Sequence, residues 1–248
     1  MDTLAHSLIQ NDKQIRKGMI MDTIYETCHG MFKNYQKIPS LKHTFNTQFN
    51  VGEINKICIV EVINKHALEV AESSVNTAVL NVVDFDFSGN LFSEIDKAPD
   101  YLINIRTTFN NITNNPYPVK NDECIYTIVS IIKSNDLLTF INGTKIALLT
   151  ISTSEQQLNN KIMSSDSFIS TCSTMETIFQ TAIDKKHTTL ILSSYGEHHN
   201  YPIDDVIKIY NYCLLKYGHL FKKIIFAIPS LVTFEIYNSS IIRPQNID

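Results

Sequence analysis

The sequence predicts a three-layer α/β sandwich, in which helices pack on both faces of a mixed, mostly parallel sheet. Strand-like apolar segments alternate with helix-like amphipathic segments through most of the chain, which is the pattern of an open α/β sheet. Two of the strand-like segments, 77–83 and 145–151, are largely apolar, as expected for strands buried on both faces. The length of 248 residues is within the range of one hydrophobic core. We therefore expect one domain over residues 1–248, with residues 1–54 as a helical N-terminal extension.

The first half of the chain is predicted to start with a long helix, followed by two strand–helix units. The helices follow from apolar side chains that recur about every 3.6 residues, such as Leu102, Ile105 and Phe109. The strands follow from short runs rich in β-branched residues. In order, the predicted elements are a helix over 10–36, a polar irregular segment over 37–54, a strand over 57–62, a helix over 66–73, a strand over 77–83, a loop over 84–98 and a helix over 99–110.

The second half of the chain is predicted to begin with a rigid extended link at Pro116-Tyr117-Pro118. Asn142-Gly143 is a turn signal, so we expect separate strands on either side of it. In order, the predicted elements are strands over 124–132, 137–141 and 145–151, a helix over 166–185, a strand over 188–192, a helix over 202–216 and a strand over 223–228.

The charge and cysteine content argue against several classes of partner. A formal net charge of −4, with no cluster of basic residues, predicts no direct binding to nucleic acid. No apolar run approaches the roughly 18–20 residues of a membrane span, and the N-terminus does not resemble a secretory signal. The five cysteines are widely spaced and form no C-x-x-C pair, which favours buried free thiols in a reducing compartment. We expect an intracellular protein, cytoplasmic or nuclear.

The sequence predicts neither a metal nor a cofactor. His198 and His199 are the only adjacent histidines, and neighbouring side chains of an extended segment point to opposite sides. No other group of histidines and cysteines has the spacing of metal ligands. A small-molecule site is expected elsewhere, because ligands of open α/β sheets bind at the carboxyl ends of the strands. Three polar segments follow predicted buried strands in this way: 84–98, 152–165 and 193–202.

Several strings in this order resemble the microbial-type poly(ADP-ribose) glycohydrolases, which have a macrodomain-like fold. Residues 61–71 (EVINKHALEVA) and 78–83 (AVLNVV) are similar to the entry to the signature loop of that family, whose strand reads V-L-N-F-A. Further downstream, Tyr117-Pro118 with Ile125-Tyr126, and the strings at 145–151, 190–196 and 223–228, follow the family's order of elements. The resemblance extends over residues 12–230 and implies a shared fold.

The resemblance also implies that the catalytic loop of this chain has been rewritten. The family's triple glycine, which lets backbone N–H groups approach a diphosphate, falls on Gly89-Asn90-Leu91. Its Q-E-E triplet, whose second Glu is the general acid/base, falls on Pro99-Asp100-Tyr101. Tyr101 thus replaces the catalytic Glu, and an unperturbed tyrosine is uncharged at neutral pH. Asp100 is the candidate replacement acid, although its arm is shorter and it lies one position early.

The second phosphate loop of the family, G-x-G-V-F, corresponds to Glu197–Tyr201 (EHHNY). Glu197 would repel phosphate there, whereas a protonated His198 or His199 would attract it. Tyr201 is positioned to stack on a base or a ribose. Asn81 and Asp84 fall near the distal ribose, but capping of the following loop is an equally simple role for them, as a plain turn is for Gly89. The ligand contacts that the resemblance implies are Asn81, Asp84, Gly89, Asn90, Ser193, Tyr195, Gly196, His198, His199 and Tyr201.

Three functions follow, from three different classes. In the first, the chain binds ADP-ribose or a related nucleotide, free or on an ADP-ribosylated protein, and is a pseudoenzyme that lacks the glycohydrolase activity. In the second, it is an ADP-ribosyl or nucleotide hydrolase with rebuilt catalytic residues, for which Asp100 and the histidines are candidates. In the third, it is a protein-interaction module whose cleft is vestigial. The first ranks highest, because the departures are concentrated in the catalytic triplet while polar groups persist around the cleft.

Overall fold

A seven-stranded sheet with helices on both faces makes up the fold. The computed structural model describes residues 13–32, 40–51, 58–84, 86–87, 101–111, 117–134, 138–153, 162–197 and 200–243. The helices within these residues are α1 (Lys13–Cys28), α2 (Ala67–Glu72), α3 (Tyr101–Arg106), α4 (Ser165–Asp184), α5 (Ile203–Tyr217) and α6 (Leu231–Ser240). The strands are β1 (Leu41–Thr44), β2 (Ile59–Ile63), β3 (Thr77–Asp84), β4 (Glu123–Lys133), β5 (Phe140–Thr153), β6 (Thr189–Leu192) and β7 (Lys223–Ala227). None of these helices is both long and apolar enough to cross a bilayer.

The sheet is mixed and mostly parallel, as the sequence predicts. Its strand order is β1-β4-β5-β3-β6-β7-β2. Strands β5, β3, β6, β7 and β2 pair in parallel, and the antiparallel pairs β1/β4 and β4/β5 lie at one edge. The carboxyl ends of the five parallel strands therefore meet at one edge of the sheet.

Alternate residues of the central strands pack into two separate cores, which gives the predicted three layers. Val79 and Leu148 point to the face covered by α2 and α3. Leu80 and Leu149 point to the opposite face, which is covered by α4 and α5 together with Tyr237 of α6. The N-terminal helix α1 lies outside the first of these layers and packs against α3.

The second and third predicted strands of the second half, 137–141 and 145–151, are one strand. β5 runs without a break through Asn142-Gly143, so the predicted turn at that position is wrong. The reason is the antiparallel partner β4, whose residues Ser130 and Ile131 pair with Lys145 and Thr144 and so extend the ladder past the glycine. The tight connection lies earlier, where the Ser134 N–H donates to the Thr139 carbonyl at 2.8 Å.

The helix predicted over 99–110 is also interrupted. Its regular part ends at Arg106, and the next residue, Thr107, forms an isolated antiparallel bridge with Ile131 of β4. The Ile103 carbonyl accepts both the Thr107 N–H at 3.1 Å and the Thr107 hydroxyl at 2.7 Å, so this helix-end acceptor is satisfied twice by one residue.

Three further boundaries differ from the prediction. The predicted helix over 10–36 ends at Cys28, where His29 and Gly30 share the Tyr25 carbonyl in a tight turn. The segment over 37–54, expected to be irregular, contributes the edge strand β1, and helix α6 follows the last strand without having been predicted. The cysteines are free, as predicted, but only three of the five are buried: Cys28 is exposed and Cys172 is half-buried.

Candidate functional site

A crevice lies at the carboxyl ends of β3 and β6, where the chain changes direction across the sheet. From β3 the chain continues to α3 and β4 on one side, whereas from β6 it continues to α5 and β7 on the other. Such switch points are where open α/β sheets bind ligands. Because Thr77 of β3 pairs with Thr189 of β6, β6 ends at Leu192 while β3 continues to Asp84. The C-terminal end of β3, which extends beyond β6, therefore lies beside the loop that follows β6.

Asn81 and Asp84 lie on this projecting end of β3, as the sequence predicts. Asn81 is only 3% exposed, and its Nδ2 donates to Thr150 Oγ1 of β5 at 3.0 Å. Asp84 is half-buried, is level with Thr153 of β5, and accepts the Phe87 N–H through its carbonyl. Both residues thus lie at the carboxyl end of β3, and one donor of Asn81 is committed to fixing β3 against β5.

Three tyrosine hydroxyls fix the backbone around the loop after β6. Tyr210 of α5 donates to the Ser193 carbonyl at 2.9 Å, and Tyr195 donates to the Ser152 carbonyl at 3.3 Å. The hydroxyl of Tyr237 in α6 hydrogen-bonds the backbone of Tyr195. The ends of β5 and β6 are therefore tied to two helices and to each other.

Burial keeps these three phenols in their protonated form. It raises the pKa of Tyr195, an effect to which the neighbouring Tyr201 adds. It likewise raises the pKa of Tyr210 and of Tyr237, and the negative charge of Glu197 adds to the shift for Tyr237. All three hydroxyls therefore stay protonated well above neutral pH, and the loop keeps its anchors throughout the physiological range.

Gly196 adopts a conformation that only glycine adopts without strain. Its φ is 71°, and a Cβ built on it would lie 2.4 Å from Cγ of Tyr201. The Tyr201 N–H donates to the Gly196 carbonyl at 3.2 Å, and the Tyr201 ring meets the Tyr195 ring edge-on at 5.1 Å. The Tyr201 ring therefore packs directly on the turn after β6. A residue larger than glycine at position 196 would leave no room for this ring.

The carboxylate of Glu197 has two hydroxyl donors. Ser194 donates to its Oε2 at 2.5 Å and Thr233 of α6 donates to its Oε1 at 2.7 Å. Thr233 is in turn hydrogen-bonded to Ser230, the residue that caps the N-terminus of α6. Glu197 therefore joins the loop to α6, a role that its position in the phosphate loop did not indicate.

The adjacent strand ends are tied together in the same manner. Asn64, which follows β2, donates through Nδ2 to the carbonyls of Ile228 and Pro229, at 2.9 and 3.0 Å. Since these two residues follow β7, the loops after β2, β6 and β7 form one hydrogen-bonded rim along the carboxyl edge.

The remaining predicted site residues lie outside the described part of the chain. These are Gly89, Asn90, Asp100, His198 and His199. Tyr101 is the first residue of α3, but its side chain is not described. Roles for these residues stay predictions.

Sequence reasoning missed the residues that support the loop. Tyr210 has the spacing of a core residue in its helix, and nothing in the sequence separates that role from its hydrogen bond to Ser193. Thr233 had a signal, because Ser230-Leu-Val-Thr233 is a helix-start pattern directly after an apolar strand.

Comparison with known proteins finds similar folds but no matching sequence. No protein-family model matches the sequence, and no curated protein matches it either. Among solved structures, poly(ADP-ribose) glycohydrolase from Thermomonospora curvata superposes with a TM-score of 0.68 at 12% identity, over 90% of this chain and 99% of that one. The fold of the chain is that of a poly(ADP-ribose) glycohydrolase. The predicted macrodomain-like sandwich is thereby confirmed.

Two further glycohydrolase structures carry ligands. The Thermomonospora curvata enzyme bound to the inhibitor ADP-HPD gives a TM-score of 0.67 at 13% identity, over 90% of this chain and 99% of that one. A Deinococcus radiodurans glycohydrolase in complex with ADP-ribose gives 0.60 at 14% identity, over 75% of this chain and 85% of that one. The likeness covers almost the whole glycohydrolase domain, while the low identity leaves the chemistry to be argued from the residues of this chain.

Proposed function

We propose that this chain binds ADP-ribose, or a nucleotide with the same diphosphate-linked sugar, at the crevice beside β3, and that it does not cleave a ribose–ribose bond. The observation that carries the proposal is the left-handed turn at Gly196, which lies directly after β6 and is packed under Tyr201. The fold is shared with glycohydrolases that were solved with ADP-ribose bound.

The turn at Gly196 has the features of a diphosphate cradle. A left-handed residue within a turn directs successive backbone N–H groups into one concavity, which is a recurrent anion-binding arrangement. The Ser193 carbonyl before the turn accepts from Tyr210, and Tyr195 within the turn donates to the Ser152 carbonyl of β5, so the backbone is held before any ligand arrives. A preorganised loop loses little conformational entropy on binding, which favours affinity.

The side chains around the turn suit the sugar and base of such a ligand. Tyr201 is partly exposed and presents a ring on which a base or ribose can stack. Asn81 and Asp84, on the neighbouring strand, are suited to hydrogen bonds with ribose hydroxyls. Tyr195 is only 4% exposed, so we assign it a positioning role rather than a direct contact. The proposed contacts are Asn81, Asp84, Gly89, Asn90, Ser193, Gly196, His198, His199 and Tyr201.

The loss of hydrolysis is proposed from one substitution. Cleavage at an anomeric carbon needs a carboxyl group that protonates the leaving oxygen and a negative charge near the oxocarbenium-like centre. Tyr101 occupies the position of that carboxyl group in the resemblance, and a phenol of ordinary pKa supplies no charge at neutral pH. The chain would then bind an ADP-ribosyl group without hydrolysing the bond that attaches it.

Calorimetric titration with ADP-ribose tests the binding proposal. We expect saturable heat from the wild type, with a Kd of about 1 mM or tighter. Tyr201→Ala removes the stacking ring and should raise the Kd about tenfold. Tyr25→Ala is the control, because Tyr25 is an exposed tyrosine on α1; its Kd should equal that of the wild type.

Two results would overturn the proposal. One is the absence of heat from folded wild-type protein at millimolar ADP-ribose, which would favour the interaction module with a vestigial cleft. The other is conversion of ADP-ribose during the titration, or of ADP-ribosylated protein in a separate incubation, which would favour the hydrolase with rebuilt residues.

A further inference from the structure

The carboxylate of Glu197 conflicts with a diphosphate at the turn after β6. Glu197 directly follows Gly196 and is exposed, and its carboxylate turns back to accept from Ser194, two residues before the glycine. The negative charge is therefore held close to the backbone N–H groups that would contact phosphate. Because like charges at short range repel each other, an anion bound at this turn needs a positive charge nearby.

Lysine and arginine side chains do not supply that charge to Glu197 within the described residues. The carboxylate forms no ion pair there, and its described partners are the neutral hydroxyls of Ser194 and Thr233. The described positions that flank the turn, 193–196 and 200–203, also contain no lysine or arginine. In this part of the chain, the repulsion between Glu197 and a diphosphate is not offset by a cationic side chain.

The same carboxylate is suited to a divalent cation. An ionised carboxylate has about four acceptor positions. Ser194 and Thr233 use one position on each oxygen, so that one position on each remains, on a side chain that is exposed. Mg²⁺ prefers oxygen ligands, keeps several of its waters, and is usually bound through one or two carboxylates together with phosphate oxygens of the substrate. A single carboxylate beside a diphosphate meets this requirement.

The two hydroxyl donors also fix the direction of the carboxylate. Thr233 is 7% exposed, lies in the first turn of α6, and is hydrogen-bonded to Ser230, which caps that helix. Ser194 holds the other carboxylate oxygen from within the loop itself. A ligand group held at both oxygens loses little conformational entropy when it binds a cation, which favours affinity.

We propose that the crevice takes ADP-ribose as its complex with a divalent cation such as Mg²⁺, and that the cation bridges the Glu197 carboxylate and the diphosphate. No group of three His, Cys, Asp or Glu side chains in the described ranges could hold a metal ion by itself. The diphosphate is therefore needed to complete the ligands of the cation. This inference rests on the proposed binding of ADP-ribose and names the form in which that ligand is bound.

Calorimetric titration of ADP-ribose in excess MgCl₂, and in EDTA with NaCl at the same ionic strength, tests the inference. The titrations are made at about pH 8, where an unperturbed histidine is uncharged and adds no positive charge to the loop. The wild type should bind about tenfold more tightly with Mg²⁺ than in EDTA. Glu197→Gln keeps the shape of the side chain without its charge. In EDTA this variant should bind more tightly than the wild type, and Mg²⁺ should change its Kd by less than about twofold.

Glu235→Gln is the matched control, because it makes the same change of charge at an exposed position of α6. It should keep the full response to Mg²⁺. An equal Kd for the wild type with and without Mg²⁺, or an equal gain in the wild type and Glu197→Gln, would overturn the inference and leave ADP-ribose binding in place. The absence of heat from folded wild type under both conditions would instead overturn the proposed function, and the inference with it.

Electron paramagnetic resonance of Mn²⁺ keeps the test valid if Glu197→Gln does not fold. Mn²⁺ takes the same kinds of oxygen ligand as Mg²⁺, and its binding can be followed from the signal of the free ion. With wild-type protein and ADP-ribose together, the signal of free Mn²⁺ should fall by more than the two separate effects of protein and nucleotide combined. A fall equal to those two effects would show that no bridge forms.

Discussion

At the scale of single residues, the backbone conformation and the side-chain packing at position 196 both require glycine. Its left-handed φ disfavours any L side chain, and Tyr201 occupies the space that a Cβ would need. The sequence could indicate this glycine, because it belongs to a string that resembles a known phosphate loop. The sequence could not indicate the partners of Glu197, since Thr233 is 36 positions away and the contact exists only in the folded chain.

Gly196→Ala should lower the free energy of unfolding by about 1–3 kcal/mol, from backbone strain at a positive φ. The clash with Cγ of Tyr201 adds to this, because that atom is at the base of its side chain and moves little. Gly218→Ala is the matched control: Gly218 has an ordinary right-handed conformation, and nothing lies within 4 Å of its added Cβ. Urea denaturation of both variants measures the difference, and equal midpoints would show that the turn is not under this constraint.

At the scale of elements, the N-terminal helix α1 is attached to the sheet by a buried cation. Lys133 of β4 is 1% exposed, its Nζ lies 2.7 Å from Oδ2 of Asp22 in α1, and the same Nζ lies 4.6 Å from the centre of the Phe140 ring. A buried ammonium group needs such partners, because its desolvation is otherwise uncompensated. We therefore expect Asp22 to contribute more to the attachment of α1 than an exposed acidic residue ordinarily contributes to stability.

Asp22→Ala should accordingly destabilise the protein by about 1–3 kcal/mol, since it leaves Lys133 with the Phe140 ring as its chief remaining partner. Asp184→Ala is the control, because Asp184 is equally exposed at 56% but pairs with the less buried Lys185; its effect should stay below about 1 kcal/mol. Thermal unfolding of the two variants gives the comparison. Equal shifts in Tm would mean that Lys133 does not rely on Asp22.

A histidine beside Tyr126 of β4 makes the stability of the fold depend on pH. His187, after α4, lies between the Asn76 carbonyl and the Tyr126 hydroxyl, at 3.3 and 3.1 Å. Burial lowers its pKa below the ordinary 6.5, and burial followed by the charge of Lys185 lowers the pKa of His43, which packs on the same tyrosine. For a lowered pKa, the stability is present in full above 6.5 and is lost as the pH falls below that value, because the unfolded chain takes up the proton first.

We therefore expect Tm to fall between neutral pH and about pH 5. In His187→Gln, which has no proton to gain, the fall should be smaller, with His43 responsible for part of what remains. Scanning calorimetry of both proteins across this range provides the measurement. An identical pH profile for the variant would remove His187 from the explanation.

The elements also show what sequence patterns can and cannot predict. Strands β3, β6 and β7 and helices α4 and α5 were predicted to within about two residues, because apolar spacing in each is decided by burial alone. The prediction failed where a distant partner decides the local structure. Strand β4 carries β5 through Asn142-Gly143, and the bridge of Thr107 to Ile131 of β4 lies where α3 ends.

At the scale of the whole molecule, the glycohydrolase fold is retained at an identity of 12–14% to the three comparison structures. Such divergence is compatible with one fold because the sheet needs only apolar residues in the right period, and many sequences supply them. A catalytic site is less tolerant, since one carboxyl group in one place supports the reaction. Binding without cleavage is what we propose for a chain that has this sheet and the Gly196 turn, and in which the resemblance puts Tyr101 at the position of the catalytic carboxylic acid.

Incubation of the purified protein with poly(ADP-ribose), followed by chromatography of the products, tests this account most directly. We predict that the wild type binds the polymer, releases no ADP-ribose above the background of protein-free buffer, and leaves the length distribution unchanged. Time-dependent release by the wild type that Tyr201→Ala loses would contradict the account, because it would place glycosidic cleavage in the very crevice that we describe as a binding site.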